Sequence, residues 1–489
     1  MARHGDELEL DIQRLDHKGW GITQVTETES PEHEDGDGNN LGEGSHRKKP
    51  RAWTIRVPYT IPGERVRVVV RRGKKRGKKL EAQLLEVLQP HGGRVEPRCA
   101  HFSRCGGCTW QHVNYREQLA AKEAYVKSCL QSAGLDERVV KPIAGMERPW
   151  YYRNKMEFTF SPEGRLGLHA QGDFRTVIPL DDCLIAGEEM VQAAREVAAW
   201  AREHGLRGYD KLVHQGLLRH LMVRQSFATG ELMVALFATE PPSPPNSQSA
   251  NLQHAVDDLV VRLRERCPSL ASLLWIVNRG VADKTDVEEM ICLFGREYIQ
   301  DELCGFRYRL KPQTFFQVNP VQAERLVEIA LQQGNPQPDE RVIDLFCGVG
   351  TFSLPFARRA KELVGIEIVE ASVEAARQNA LENGVDNARF VTADARRGLD
   401  QVLAEHPGVD LLLLDPPRSG AGRKVMRKIG RARPKRVVYV SCNPATLAED
   451  CAELLPFGYE LVEVRPVDMF PHTAHVECVT LLDRKGAEG

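Results

Sequence analysis

The chain has no apolar run long enough to cross a bilayer: its hydrophobic stretches, such as residues 411–414 and 437–440, are strand-sized. It also opens without an apolar signal segment, so the sequence predicts a soluble, cytoplasmic protein with no membrane partner. An excess of either charge is missing too. Its 66 basic and 68 acidic residues leave a net charge of -2, so overall charge names no partner. Without an export signal, 12 cysteines argue for thiols, metal ligands or a nucleophile rather than a disulfide framework. Length excludes a small stapled module, because 489 residues suffice for about three domains.

What is present is unevenly distributed. Residues 7–15, ELELDIQRL, and 64–70, ERVRVVV, alternate with period two among Gly and Pro turns, predicting strands of a small antiparallel barrel that ends near Pro90. Residues 26–49 are polar, acidic and nearly devoid of apolar side chains, and are expected to be a disordered insertion. At 71–79, RRGKKRGKK places seven positive charges in nine residues at a hairpin tip, a pattern suited to tracking phosphates. The stretch from Leu8 through VPYTIPGERVRVVV resembles a TRAM domain, an OB-like RNA-binding barrel, which would occupy residues 1–90.

A central region, 91–305, mixes strand and helix patterns with a loop at 240–249. Tyr151, Tyr152, Arg153, Asn154 and Lys155 interleave aromatic and basic groups, either to clamp RNA or as an ordinary strand with mixed faces. Near its start Cys99, Cys105 and Cys108 form C-x5-C-x2-C, with Gly106 and Gly107 permitting a tight turn; Cys183, after a polar turn, is the candidate fourth ligand. Four thiolates suit zinc or an iron–sulfur cluster, and spacing does not choose between them. The C-x3-C-x2-C of radical enzymes is absent. The arrangement resembles the [4Fe–4S] segment of the bacterial RNA uracil-C5 methyltransferases, which implies iron–sulfur.

From 306 onward strands and helices alternate, and the polar motifs fall at the carboxyl ends of the strands, where open parallel sheets hold ligands. Residues 341–357, RVIDLFCGVGTFSLPFA, read as strand, glycine turn and helix; nineteen residues after Gly348 a second strand ends in Glu367, placed for ribose hydroxyls. Ser353 breaks the G-x-G-x-x-G pattern of dinucleotide folds. A third strand ends at Asp394 and a fourth at Asp415, followed by Pro416, Pro417 and Arg418. In amino-group methyltransferases an aromatic residue follows the prolines, so Arg418 argues against a nitrogen target. The next strand, 437–441, stops at Cys442 before Asn443 and Pro444, which begin a helix. A thiol at a helix start is expected to have a lowered pKa and to act as a nucleophile.

Together FFQVN (315–319), DLFCGVGTF, GIE, DPPRSG, SCNPATLAED and MFPHTAHVECV resemble the class I, Rossmann-like methyltransferase domain of the RNA uracil-C5 methyltransferases, over residues 313–489. The fold implied is α/β, with the N-terminal OB-like barrel and a central α+β domain carrying the cysteines. The resemblance further implies that Gln317, Phe346, Thr351, Glu367, Asp394 and Asp415 hold S-adenosyl-L-methionine, although some members carry Asn at 351 and 394. It makes Cys442 the nucleophile and Glu477 the base that removes the C5 proton. His472 and His475 are read as pocket hydrogen-bonders; Cys347, Cys451 and Cys478 as packing. The implied reaction makes 5-methyluridine in 23S ribosomal RNA, with the T-loop uridine of tRNA as the alternative target. A non-catalytic RNA-binding or ribosome-assembly protein is the competing class, and a monomer is expected.

Overall fold

The computed structural model describes residues 4–26, 52–74, 79–242, 249–281, 285–405 and 408–486. Residues 27–49 of the acidic insertion, 75–78 of the basic run and 243–248 of the central loop lie outside the described residues. The chain divides into two compact units.

The first unit comprises Met1–Pro97, Cys108–Glu117 and His472–Ala474. Its strands are β1 (Glu7–Asp11), β2 (Arg14–Leu15), β3 (Gly21–Thr26), β4 (Ala52–Val57), β5 (Arg65–Lys74) and β6 (Lys79–Gln89). They form one sheet in the order β1-β5-β6-β4-β3-β2, antiparallel except where β4 meets β6. The single strand expected over 7–15 is two. Ile12 N–H donates to Glu64 O, whereas Gln13 N–H donates to Ile22 O, so the chain changes partner from the β5 side to β3 within two residues. Alternation still sorts the faces, with Leu10, Ile55, Val57, Val66 and Val68 buried together.

The second unit is Arg98–Gly107, Gln118–Pro471 and His475–Gly489. After α1 (Tyr115–Ser132), whose first residues belong to the first unit, come β7 (Lys155–Phe160), β8 (Leu166–Ala170), β9 (Asp173–Pro179), α2 (Glu188–Glu203), β10 (Leu218–Gln225), β11 (Leu232–Ala238), α3 (Ser249–Arg266), β12 (Leu270–Val277) and β13 (Glu289–Gly295). Their seven strands make one sheet in the order β13-β12-β11-β10-β7-β8-β9. Trp200 of α2 donates from its indole to Ala255 O of α3 at 2.6 Å, a hydrogen bond inside the layer of helices. The ribbon β14 (Ile299–Leu303) and β15 (Phe306–Leu310) follows.

Then come α4 (Pro320–Gly334), β16 (Arg341–Leu345), α5 (Ser353–Ala357), β17 (Glu362–Glu367), α6 (Glu370–Glu382), β18 (Ala388–Thr392), α7 (Ala395–Glu405), β19 (Leu411–Leu414), α8 (Arg423–Ala432), β20 (Arg436–Ser441), α9 (Pro444–Ala452), β21 (Tyr459–Val467) and β22 (Glu477–Arg484). This sheet runs β18-β17-β16-β19-β20-β22-β21, parallel from β18 to β20 and antiparallel at β22 and β21. Its central strands β19 and β20 are nearly continuous apolar runs, LLLL and VVYV, because helices cover both faces, whereas β16 carries the buried Asp344. In β19, Leu411 and Leu413 enter one core while Leu412 and Leu414 enter the other. Strand order reverses between β16 and β19, and a crevice opens beyond their carboxyl ends.

One buried ion pair fastens α1 beside this sheet. Lys122 Nζ donates to Asp468 Oδ1 at 2.5 Å and to Phe470 O at 3.0 Å, and both charged side chains are fully buried. Burial pushes the Lys122 ammonium below its ordinary range while Asp468 pulls it back. Removing one partner strands the other charge away from water. Lys122→Met is therefore expected to cost about 3–5 kcal/mol, read as a shift in the midpoint of urea unfolding.

Candidate active site at the carboxyl edge of the mixed sheet

Cys442 follows the last residue of β20, and Glu477 is the first residue of β22. The antiparallel register pairs Ser441 with Cys478, so its continuation by one position sets Cys442 opposite Glu477. The two residues are 35 apart in sequence (477 minus 442) and are brought together by one ladder. The chain leaves β20 through Asn443, which caps α9 by accepting the Ala445 N–H on Oδ1 at 3.2 Å; Pro444 starts the helix.

The expected lowering of the thiol pKa is not observed. Burial pushes the Cys442 thiol up to about 11; Glu477 and Asp415 add to this, and the Arg418 guanidinium opposes it. The helix start does not rescue the thiolate because its amides are engaged elsewhere. Asn443 N–H donates to Ser441 Oγ at 3.1 Å, and Ala445 N–H to the cap. Glu477 is buried, which raises its carboxyl to about 8 with a further push from Asp415. Burial alone raises Asp415 to about 7. Asp344, at the end region of β16, reaches about 8 through burial despite a 2.5 Å hydrogen bond from Ser353, with Asp415 and Glu367 contributing repulsion. Burial thus favours the uncharged forms of the thiol and of all three acids.

Arg418, exposed after β19, donates from Nη2 to His475 Nδ1 at 3.1 Å. Burial, then Arg418 and Lys122, hold that imidazole down to about 4, so near neutral pH it is uncharged and accepts. The Asp415–Pro416–Pro417–Arg418 segment therefore lines the same edge as Cys442 and Glu477.

On the other side of the strand reversal lie the residues expected to hold a cofactor. Phe346 leaves β16 with φ +65°, and Gly348 follows at φ +53° with open space where a Cβ would project. Glu367, ending β17, accepts the Gly348 amide on Oε2 at 3.2 Å and the Ile368 and Val369 amides on Oε1 at 2.8 and 2.9 Å. That orients a half-buried carboxylate across an open glycine turn, a cradle that fits a ribose. Thr351 is half-buried, Gln317 is buried with its carbonyl held by Asn154 Nδ2 at 3.3 Å, and Asp394 is exposed, accepting the Arg396 amide at 3.1 Å. Sequence reasoning missed Arg224, buried in β10. It donates to Lys311 O and Thr314 O at 3.1 and 2.8 Å and so shapes the loop leading to Gln317. A basic residue in an apolar strand was the only signal.

Two of the proposed RNA clamps are internal. Tyr152 is buried and donates to Pro471 O at 3.1 Å, and Asn154 is buried on Gln317, so these serve packing; Tyr151 is exposed. Cys347, Cys451 and Cys478 are buried.

Cys99, Cys105 and Cys183 share the second unit, and their thiols feel one another; Cys108 belongs to the first. Burial, then Cys105 and Cys99, raise Cys183 to about 11, against amide contacts from Ile185 and Ala186. Gly107 N–H donates to Cys105 Sγ at 3.4 Å. Among the described residues, no group of three or more His, Cys, Asp or Glu is arranged to hold a metal ion.

Known proteins resemble the chain along its length. The profile of the family described as tRNA (Uracil-5-)-methyltransferase matches residues 276–485. An uncharacterized RNA methyltransferase of Caldanaerobacter subterraneus subsp. tengcongensis is 35% identical over 490 residues, covering 99% of this chain and 100% of that one. Another, from Halalkalibacterium halodurans, is 35% identical over 98% of this chain and 97% of its own. The solved structure of Pyrococcus abyssi tRNA (uracil-54, C5)-methyltransferase in complex with S-adenosyl-L-homocysteine superposes with a TM-score of 0.72 at 27% identity, covering 97% and 99% of the two chains.

The buried Glu477 carboxyl has a consequence for stability. Folded protein retains its proton to about pH 8, whereas the ordinary value is 4.5, so the folded state binds more protons between these limits. Stability therefore falls as pH rises through that window. Glu477→Gln removes the penalty. Its thermal midpoint should exceed that of the unchanged protein at pH 8 by more than at pH 5, with a difference of order a few kcal/mol; equal gains at both pH values would contradict the assignment.

Proposed function

Since the chain belongs to the RNA uracil-C5 methyltransferase family and is an S-adenosylmethionine-dependent RNA methyltransferase, we propose that it methylates uracil C5 in 23S ribosomal RNA. In this reading Cys442 is the nucleophile and Glu477 the base. The observation that carries it is the β20–β22 register, which sets this thiol opposite this carboxyl at a strand-end crevice.

Uracil C5 is too weak a nucleophile to attack a methyl sulfonium unaided. Addition of the Cys442 sulfur to C6 pushes the ring electrons toward C5 through an enolate, and the thiol proton passes to solvent water as the carbon–sulfur bond forms. When bound, S-adenosylmethionine would supply the methyl group to C5, its sulfonium sulfur taking the bonding pair to become a neutral thioether. C5 then carries both the methyl and its original hydrogen. Glu477, as carboxylate, takes that proton; the electron pair of the C5–H bond re-forms the C5–C6 double bond and expels the Cys442 thiolate. A carboxyl raised to about 8 is a stronger base than an ordinary one when ionised. Gln317, Phe346, Thr351, Glu367, Asp394 and Asp415 are the residues that would hold the cofactor. The target base must leave its stack to expose the C6 face.

Cys99, Cys105, Cys108 and Cys183 are proposed to bind a [4Fe–4S] cluster in preference to zinc, supported by the resemblance and by the mutual repulsion of the thiols. The β1–β6 sheet, with the basic run at 71–79, is proposed as a TRAM-type RNA grip in a protein acting as a cytoplasmic monomer. A second reading, the T-loop uridine of tRNA, is favoured by the named substrate of the Pyrococcus abyssi protein.

Anaerobically purified protein, labelled S-adenosylmethionine, and unmodified 23S ribosomal RNA or tRNA test both. Label in 5-methyluridine of ribosomal RNA is expected; label in tRNA alone would move the target, and transfer to neither would sink the enzymatic assignment. Cys442→Ala should reduce transfer by at least about 10⁴-fold, whereas Glu477→Gln should accumulate an RNA adduct that survives denaturing electrophoresis. Iron and sulfide should accompany the protein, and a colourless zinc-containing preparation would overturn the cluster.

A further inference from the structure

The helix after Cys442 carries a buried carboxylate that the proposed chemistry leaves unused. Asp450, in α9, accepts three donors from outside its helix. Tyr439 of β20 gives its hydroxyl to Oδ2 at 2.7 Å, Ala421 gives its amide to Oδ2 at 2.8 Å, and Gly422 gives its amide to Oδ1 at 3.2 Å and Oδ2 at 3.3 Å. The last two belong to the loop between β19 and α8, the loop that begins with Asp415 and Arg418. Gly420 and Gly422 both have φ +79°, and a Cβ on Gly420 would stand 2.7 Å from Asp450 Oδ2. The loop therefore crosses the carboxylate at a separation that only glycine permits. A second tie comes from the other side of Cys442: Asn443 Nδ2 donates to Arg418 O at 3.0 Å.

We propose that Asp450 is a positioning residue for Cys442, clamping the 420–422 turn so that the Arg418 guanidinium stays facing the thiol. This rests on Cys442 being the nucleophile. The charged and titratable groups facing that sulfur are Glu477 from β22 and Asp415 and Arg418 from the loop; His475, beside Arg418, is neutral near pH 7. Two of those groups disfavour the thiolate and Arg418 favours it, so a loosened loop weakens the favourable contribution. Asp450 touches neither RNA nor cofactor in this scheme; it acts through Arg418.

The test follows alkylation of Cys442 by iodoacetamide as a function of pH in the full-length protein, read on the Cys442 peptide by mass spectrometry, together with kcat and KM for S-adenosylmethionine. Asp450→Asn keeps the volume but replaces an accepting oxygen with a donor facing two amides. The alkylation midpoint is expected to rise by about half a unit or more, the order of a weakened ion contact. At pH 7.5 kcat should fall by about threefold or more, recovering at higher pH, with KM changed less than about twofold. Arg418→Gln should raise the midpoint at least as far, and adding Asp450→Asn to it should raise it no further. Tyr439→Phe removes the hydroxyl that donates to Asp450 and accepts the Ala421 amide at 3.3 Å but keeps both amide–carboxylate contacts, so it should raise the midpoint less than Asp450→Asn does. If Asp450→Asn does not fold, Gly420→Ala, which pushes the loop off the same carboxylate, must give the same rise. A midpoint unmoved in folded Asp450→Asn or Gly420→Ala, or one moved further in the double variant, overturns the positioning role while Cys442 stays essential. Activity surviving Cys442→Ala instead overturns the nucleophile assignment beneath it.

Discussion

Negative charge taken out of water is the constraint on which the sheet edge depends. Asp344, Asp415 and Glu477 converge there with the Cys442 thiol, and burial holds each of them in the protonated form at pH values where exposed groups would be charged. Asp415 also raises Asp344, Glu477 and Cys442, and Glu477 raises Cys442, so charge on either acid makes the next ionisation harder. A positively charged ligand seated at that edge reverses the balance for all of them together. In the proposed reaction a methyl sulfonium would carry that charge, and cofactor binding and the readiness of the thiol and carboxyl would then be linked by electrostatics.

The surrounding scaffold keeps these groups in register. The parallel strands β16, β19 and β20 end at one crevice, and antiparallel β22 inserts Glu477 beside β20. Around this core, buried polar contacts fix what strands alone leave loose: Lys122 on Asp468, Arg224 on the carbonyls before Gln317, and Asp450 on the turn after Arg418. Each is a desolvated hydrogen bond whose loss costs more than its formation gains.

Sequence periodicity made the strand ends legible, because an apolar run between helices signals a parallel strand and the polar residue after it signals the crevice. Cys442, Glu367 and Asp415 were all found this way. Partner changes were not: nothing in ELELDIQRL marks the switch between Ile12 and Gln13, which depends on strands far away in sequence. The thiol was misjudged because a helix start was weighed without the Asn443 cap or the buried acids around the sulfur. For Tyr152 and Asn154 the sequence leaves an RNA clamp and an ordinary mixed-face strand equally open, because the partners that decide for packing, Pro471 and Gln317, are remote. Lys122 and Asp450 carried no local signal, with partners 346 and 29 residues away.

The β20–β22 ladder also sets a rule about chain length. Since side chains alternate across a strand, a one-residue slip of β22 against β20 would turn Glu477 to the opposite face and set Val476 or Cys478, according to its direction, opposite Cys442. Indels should therefore be rare at the join between β21 and β22 however far the amino acids diverge.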